Sequence, residues 1–196
     1  MSPRSCLIFW VFSGALADCS APPPEVMPAA SERTVLAPSS LAVLSSSRDY
    51  AGAPSAITFG GVSGRSALYL RFPAEWRARG APRRAFIALE PQADAPPSSE
   101  PVRIEAWRVL RDWRADELKR WSDKPELAPP YAATQASSSP ASTLRLDVTE
   151  LVQFAASNPE LDHGIALIAT GGSGHGLSFA TGANGGSPPT LELYSR

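Results

Sequence analysis

Cysteine is nearly absent from this chain of 196 residues. Cys6 and Cys19 are the two it has, and both fall at its start. The rest therefore has no material for a disulfide framework or a cysteine metal site. Lysine is as scarce: of 18 basic residues only Lys119 and Lys124 are lysine. Arginine in place of lysine, with abundant Ala and Pro, fits the codon usage of a GC-rich bacterial genome. There is no surplus of positive charge either. The formal net charge is −1 and the pI is about 6.1, which excludes the electrostatic footprint of a nucleic-acid binder. Histidine is limited to His163 and His175, each next to glycine in a turn-like context, and neither sits in an H-x-x-H or HExxH setting.

Motifs for chemistry are missing in the same way. The stretches "GGVSGRS" and "GGSGHG" are rich in glycine but lack the lysine of a phosphate-binding loop and the spacing of a dinucleotide fingerprint. Each falls between two strand patterns and reads as a turn. In "GGSGHG" His175 stands where a nucleophile elbow needs its last glycine. The acids Asp112, Asp116 and Glu117 lie among Arg111, Arg114 and Lys119, and Asp162 lies near Glu160. A solvated charged surface explains these groups better than a glycosidase pair does. No EF-hand-like spacing appears. No metal, no cofactor and no catalytic activity are expected.

What is present begins with an address. Residues 1–19 carry Arg4, then the apolar run "CLIFWVFSGALA", too short to span a bilayer but of signal-peptide length. Two cleavage readings stay open. "LADC" resembles a lipobox that would put lipid on Cys19, although Asp18 occupies a position that is normally small. Ala15-Leu16-Ala17 suits ordinary signal peptidase. Residues 20–32 read as a disordered Pro/Ala/Ser tether, and residues 33–196 as one domain. The expected location is across the inner membrane: an envelope or outer-membrane lipoprotein held through Cys19, or an extracellular protein.

The domain is punctuated by 20 prolines and 14 glycines, which favours short strands over long helices. "RTVLA", "LAVLS", "SAITF", "ALYLRF", "RRAFIALE", "VRIEAW", "TLRLDV", "GIALIA", "LSFAT" and "TLELY" have strand character. In "VRIEAW", Val102, Ile104 and Ala106 are expected to point inward and Arg103 and Glu105 outward. The fold class predicted is an all-β antiparallel sandwich with one short helix. That helix is "DVTELVQFAASNP", with Asp147 as cap, Glu150 in a capping-box position, and Val148, Leu151, Val152 and Ala155 as its apolar stripe; Asn158-Pro159 stops it. Two long loops are predicted, over about 110–142 and 171–176.

The first loop holds "WRADELKRWSDKP", with Trp113 and Trp121. Indole rings stack on sugars, and they also anchor loops by burial, which is the commoner use. A glycan site in this segment would use Trp113 or Trp121 as stacking surface, with Arg120 and Lys124 meeting carboxylates.

In chain order, "LYLRF", "IALE", "VRIEAWRVLRDWRADELKRWSDKP", "LDVTELVQFAAS", "HGIALIA", "LSFAT" and "PPTLELY" resemble the DNRLRE domain family and the related carbohydrate-binding module family 96, over about residues 33–195. The resemblance implies a jelly-roll β-sandwich from a secreted protein, usually non-catalytic, in some members binding acidic polysaccharide such as alginate. It also implies that the two tryptophans belong to a loop kept as architecture. The function expected is thus a secreted, membrane-anchored, carbohydrate-binding-module-like protein with a polysaccharide partner. The alternative is a structural or adhesive surface lipoprotein with no glycan site.

Overall fold

The computed structural model describes residues 32–50, 53–61, 64–93, 95–96, 101–136, 142–170 and 174–195. The signal sequence, Cys19 and the tether up to residue 31 lie outside the described residues, as do positions 171–173 of the second predicted loop. Glu32, assigned above to the tether, already begins the first strand.

Among the described residues, eleven strands and one α-helix follow in order: β1 (Glu32–Leu36), β2 (Ser40–Ser45), β3 (Ala56–Phe59), β4 (Ser66–Arg71), β5 (Arg84–Leu89), β6 (Val102–Val109), β7 (Leu127–Ala136), β8 (Leu144–Asp147), α1 (Thr149–Ser157), β9 (Ile165–Thr170), β10 (Leu177–Ala180) and β11 (Thr190–Ser195). Every strand named in the sequence analysis is among them. They form a four-stranded sheet ordered β1-β11-β5-β8, a five-stranded sheet ordered β2-β4-β9-β6-β7, and a β3–β10 ribbon. All pairings are antiparallel.

The connectivity is that of a hairpin wound on itself. The innermost pair is β6 with β7; outside it come β5 with β8, then β4 with β9, then β1 with β11. Pairing inner with inner and outer with outer, and distributing the pairs over two sheets, gives the jelly-roll order. The β3–β10 ribbon nests between the β4–β9 and β1–β11 pairs, and strand β2 is an addition to this frame.

Alternation explains the main core. Leu68, Leu70, Ile104 and Leu167 face inward from the five-stranded sheet; Ile87, Leu146, Leu191 and Leu193 face them from the four-stranded one. Phe59 and Phe179 of the ribbon close one end, with ring centroids 6.0 Å apart. Helix α1 contributes Leu151 and Val152, both buried as expected from its apolar stripe, and ends at Asn158 before Pro159.

Three expectations change. The predicted loop over 110–142 is interrupted: Trp121–Asp123 form a 3-10 turn, and β7 is a full strand beside β6. Pro129 and Pro130 disguised it. Proline cannot serve a central ladder, but β7 is an edge strand, and its pairing shifts register on either side of Trp107, where Pro130 lies opposite.

Asp147 does not occupy the N-cap, which is Val148. It ends β8, and its carboxylate takes the Thr149 backbone N–H at 3.0 Å and the Thr149 hydroxyl at 2.5 Å. The strand runs directly into the helix, so the capping oxygen arrives one residue early. Finally, Glu105 points outward as expected, but that outward position is itself buried, with Arg103 Nε at 3.0 Å. It lies on the outer face of the five-stranded sheet, and that face carries a second apolar cluster.

Candidate functional site

The two sheets present very different outer faces. On the five-stranded sheet, Leu44, Tyr69 and Ala166 point away from the main core yet are buried, because the chain between β6 and β7 folds back over them. This segment leaves and returns at one place, where Leu110 N–H donates to Glu126 O at 3.0 Å. Trp113 is its anchor. It is 3% exposed, packs edge-on to Tyr69 at 5.9 Å, and donates Nε1–H to His163 O at 2.7 Å. The Arg71 guanidinium covers its ring at 5.1 Å and reaches Asp112 at 2.5 Å and Trp113 O at 3.2 Å. Beside His163, Gly164 has φ of 99°, and a Cβ there would collide with the Leu70 carbonyl. Burial pushes the Tyr69 phenol up to about 12.

The ligand role expected for Trp113 is therefore corrected: its indole has no face to offer, since the loop needs it as a plug. Trp121 is half-buried against the same cluster, with Lys124 Nζ 5.0 Å from its ring centre. Arg120 points into solvent and approaches Asp49 only at 3.9 Å. Asp123 holds the turn through the N–H groups of Arg120 (2.8 Å) and Lys119 (3.2 Å). Within the segment, Arg114 pairs with Asp116 at 3.1 Å and with Glu117 at 3.9 Å. The structure brings Trp121 and Lys124 together, but not Trp113 with Arg120.

Among the described residues, no segment folds over the outer face of the four-stranded sheet. Register places its side chains in rows: Arg33, Tyr194 and Arg84 in one; Val35, Glu192, Phe86 and Asp147 in the next; Thr190, Ala88 and Arg145 in the third. Arg145 is the centre of this surface. Its guanidinium lies 4.4 Å from the Phe86 ring centre and 5.7 Å from that of Tyr194, the two rings meeting edge to face at 6.0 Å. Its Nη2 donates to Glu192 and, at 2.8 Å, to the Tyr194 hydroxyl.

Glu192 also accepts from Arg33 Nη2 at 2.6 Å. Burial pushes the Glu192 carboxyl up, but the hydrogen bonds and charges of Arg33 and Arg145 outweigh it and hold the group below the usual glutamate range. Asp147 shows the same contest: burial raises it, while Thr149 and Arg84 bring it below its ordinary value. Arg84 contacts Asp147 at 3.0 Å. Arg83, Arg84, Phe86, Arg145 and Tyr194 together line a shallow hollow of about 470 Å³. A second hollow, of about 650 Å³, lies beyond β8 against the start of α1.

Arg145 remains 43% exposed although its partner Glu192 is 7% exposed. The surface is thus a guanidinium held over the Phe86 ring and beside Tyr194 by a buried carboxylate. Such a group can stack on an apolar ring face and donate to a carboxylate. Sequence reasoning passed over this face. It gave "RRAFIALE" and "TLELY" strand character without assigning their faces, and only period-2 counting of Arg84 and Phe86 on one side, and Glu192 and Tyr194 on another strand, would have exposed an aromatic pair on polar positions.

Among the described residues, no group of three His, Cys, Asp or Glu could hold a metal, and no helix is long and apolar enough to cross a membrane. No protein-family model matches the chain, and no curated protein matches it.

Proposed function

We propose that this chain is a secreted, non-catalytic glycan-binding domain, tethered to a membrane through lipid on Cys19, whose ligand is an acidic polysaccharide. The binding surface is the outer face of the four-stranded sheet. The observation that carries the reading is Arg145: an exposed guanidinium fixed on Phe86 and Tyr194, flanked by Arg33 and Arg84. Sugar rings carry apolar C–H faces that stack on such planes, and uronate carboxylates match the planar fork of arginine. Little is lost on binding, because Arg145 is already held in place. The DNRLRE resemblance, with the glycan-binding members of that family, adds to this reading.

Titration calorimetry with polygalacturonate or alginate tests it. The parent protein should bind, and Arg145→Ala and Tyr194→Ala should each weaken binding roughly tenfold or more, about 1.4 kcal/mol or more. Retained affinity in both variants would remove the site from this face. For the anchor, intact-mass measurement of protein purified from its native membrane should find lipid on a chain beginning at Cys19. A mature chain beginning at Asp18 without added mass would refute it.

A second reading has one observation in its favour. Arg33 and Arg145 both already pair with Glu192, as they would in a purely structural network. A structural or adhesive surface lipoprotein with no glycan site is the reading supported if no polysaccharide binds.

A further inference from the structure

We infer that the ligand is held by the interior of a carboxylated chain, lying across two subsites, and not by a chain end. This rests on the glycan-binding reading and specifies its substrate. The two hollows share Arg83, Arg84 and Arg145. The first adds the aromatic pair Phe86 and Tyr194; the second continues past β8 to Asp147, Thr149, Glu150 and Gln153 at the start of α1. Each has the size of a small-molecule site, and because three arginines line both, the two adjoin. A pocket for a chain end needs a wall that stops the chain. Arg83, Arg84 and Arg145 line both hollows, so a chain engaged by them in one hollow is led into the other.

Charge supports the same path. Arg83 is exposed and has no side-chain partner among the described residues, and Arg84 engages Asp147 through Nη1. Guanidinium groups at the junction would meet carboxylates on successive sugars of one chain. The second hollow borders the N-terminal turn of α1, whose positive dipole end adds to the attraction for anions. The opposing group there is Glu150, exposed in the first helical turn and lining the second hollow alone. Asp147, by contrast, is engaged by Arg84 and Thr149.

The test measures affinity for galacturonate and for oligogalacturonates of increasing length, with both ends free or with the reducing end converted to the alditol and the other end unsaturated. Affinity should rise roughly tenfold or more as the oligomer grows long enough to reach both hollows, as linked subsites predict, and end modification should leave it unchanged. Glu150→Lys should tighten the long oligomers and leave the short ones alone. Tyr194→Ala should weaken every length. The inference is overturned if galacturonate binds as tightly as the polymer, if end modification abolishes binding, or if Glu150→Lys fails to distinguish long from short oligomers. If no carboxylated chain of any length binds, the glycan-binding reading itself falls. Melting curves of Glu150→Lys and Tyr194→Ala confirm that each variant is folded.

Discussion

The two outer faces of this sandwich use the same residue types for opposite ends. On the five-stranded side, an arginine stacks on an aromatic ring beneath a loop: Arg71 on Trp113, 5.1 Å apart, with Trp113 buried. On the four-stranded side, Arg145 stacks on Phe86 at 4.4 Å with nothing folded over it among the described residues. The first contact closes a second core, and the second leaves a charged plane facing solvent. An arginine–aromatic pair therefore does not mark a binding site by itself. What lies above it decides. Strand β4 of the covered face is apolar on both sides, with Ala67, Leu68, Tyr69 and Leu70 all buried. Each strand of the open face keeps polar or aromatic side chains outward.

The strongest way to break the comparison is Trp113→Ala. Truncating this plug should cost about 3–5 kcal/mol, because a large buried ring and a buried hydrogen bond are lost together. Chemical denaturation measures it; a cost below about 1 kcal/mol would mean that the loop closes the face without its anchor. Removing the central acid of the open face is next. Glu192→Ala should cost about 1–2 kcal/mol, since charged hydrogen bonds are lost while Arg33 and Arg145 keep access to water. The same variant should weaken polysaccharide binding, because Arg145 loses the carboxylate that holds it in place. Asp147→Ala should cost about 1 kcal/mol through the Thr149 N–H left without its acceptor, and an unchanged denaturation midpoint would show that α1 starts without it.

Acid should sharpen the contrast. Glu192 and Asp147 have carboxyls below their ordinary values of 4.5 and 3.8 in the folded state. The unfolded chain then binds more protons, so stability present above that range is lost as pH falls through it and on through the lower folded values. Melting temperature followed downward through that window should drop, and Glu192→Ala should drop less steeply. The smallest expected effect is on Arg84→Ala, whose side chain is largely solvated. Stability should stay within about 0.5 kcal/mol while binding weakens. A large loss of stability would make the open face structural.

Much of the frame was legible. Period-2 segments between Gly, Pro and Ser turns located most strands, and helical spacing located α1, with Leu151 and Val152 on its buried side. Strand β7 was hidden because Pro129 and Pro130 argue against a strand, and nothing local says that a strand will be an edge. The site was less legible still. Arg84, Glu192 and Arg145 are far apart in sequence and meet only through the pairing of β5 with β11 and β8. The dense charge of 111–124 drew attention instead, yet the segment buries its Trp113 as a plug and pairs Arg114 with its own Asp116 and Glu117.

By itself the sequence determined the local choices: alternating apolar residues that must bury one face, turns where glycine and proline break regular pairing, and a helix that stops at Pro159. These follow from short-range sterics and from the periodicity of hydrophobic burial, which a single strand or helix already displays. Only the tertiary structure decided that the tryptophan segment folds inward over Tyr69 while the Arg145 surface stays open. Both segments are arginine-rich and carry aromatic rings. Which one is covered depends on where the β6–β7 connection returns and which strands lie in register beneath it, and those are distances between residues that the linear order does not contain.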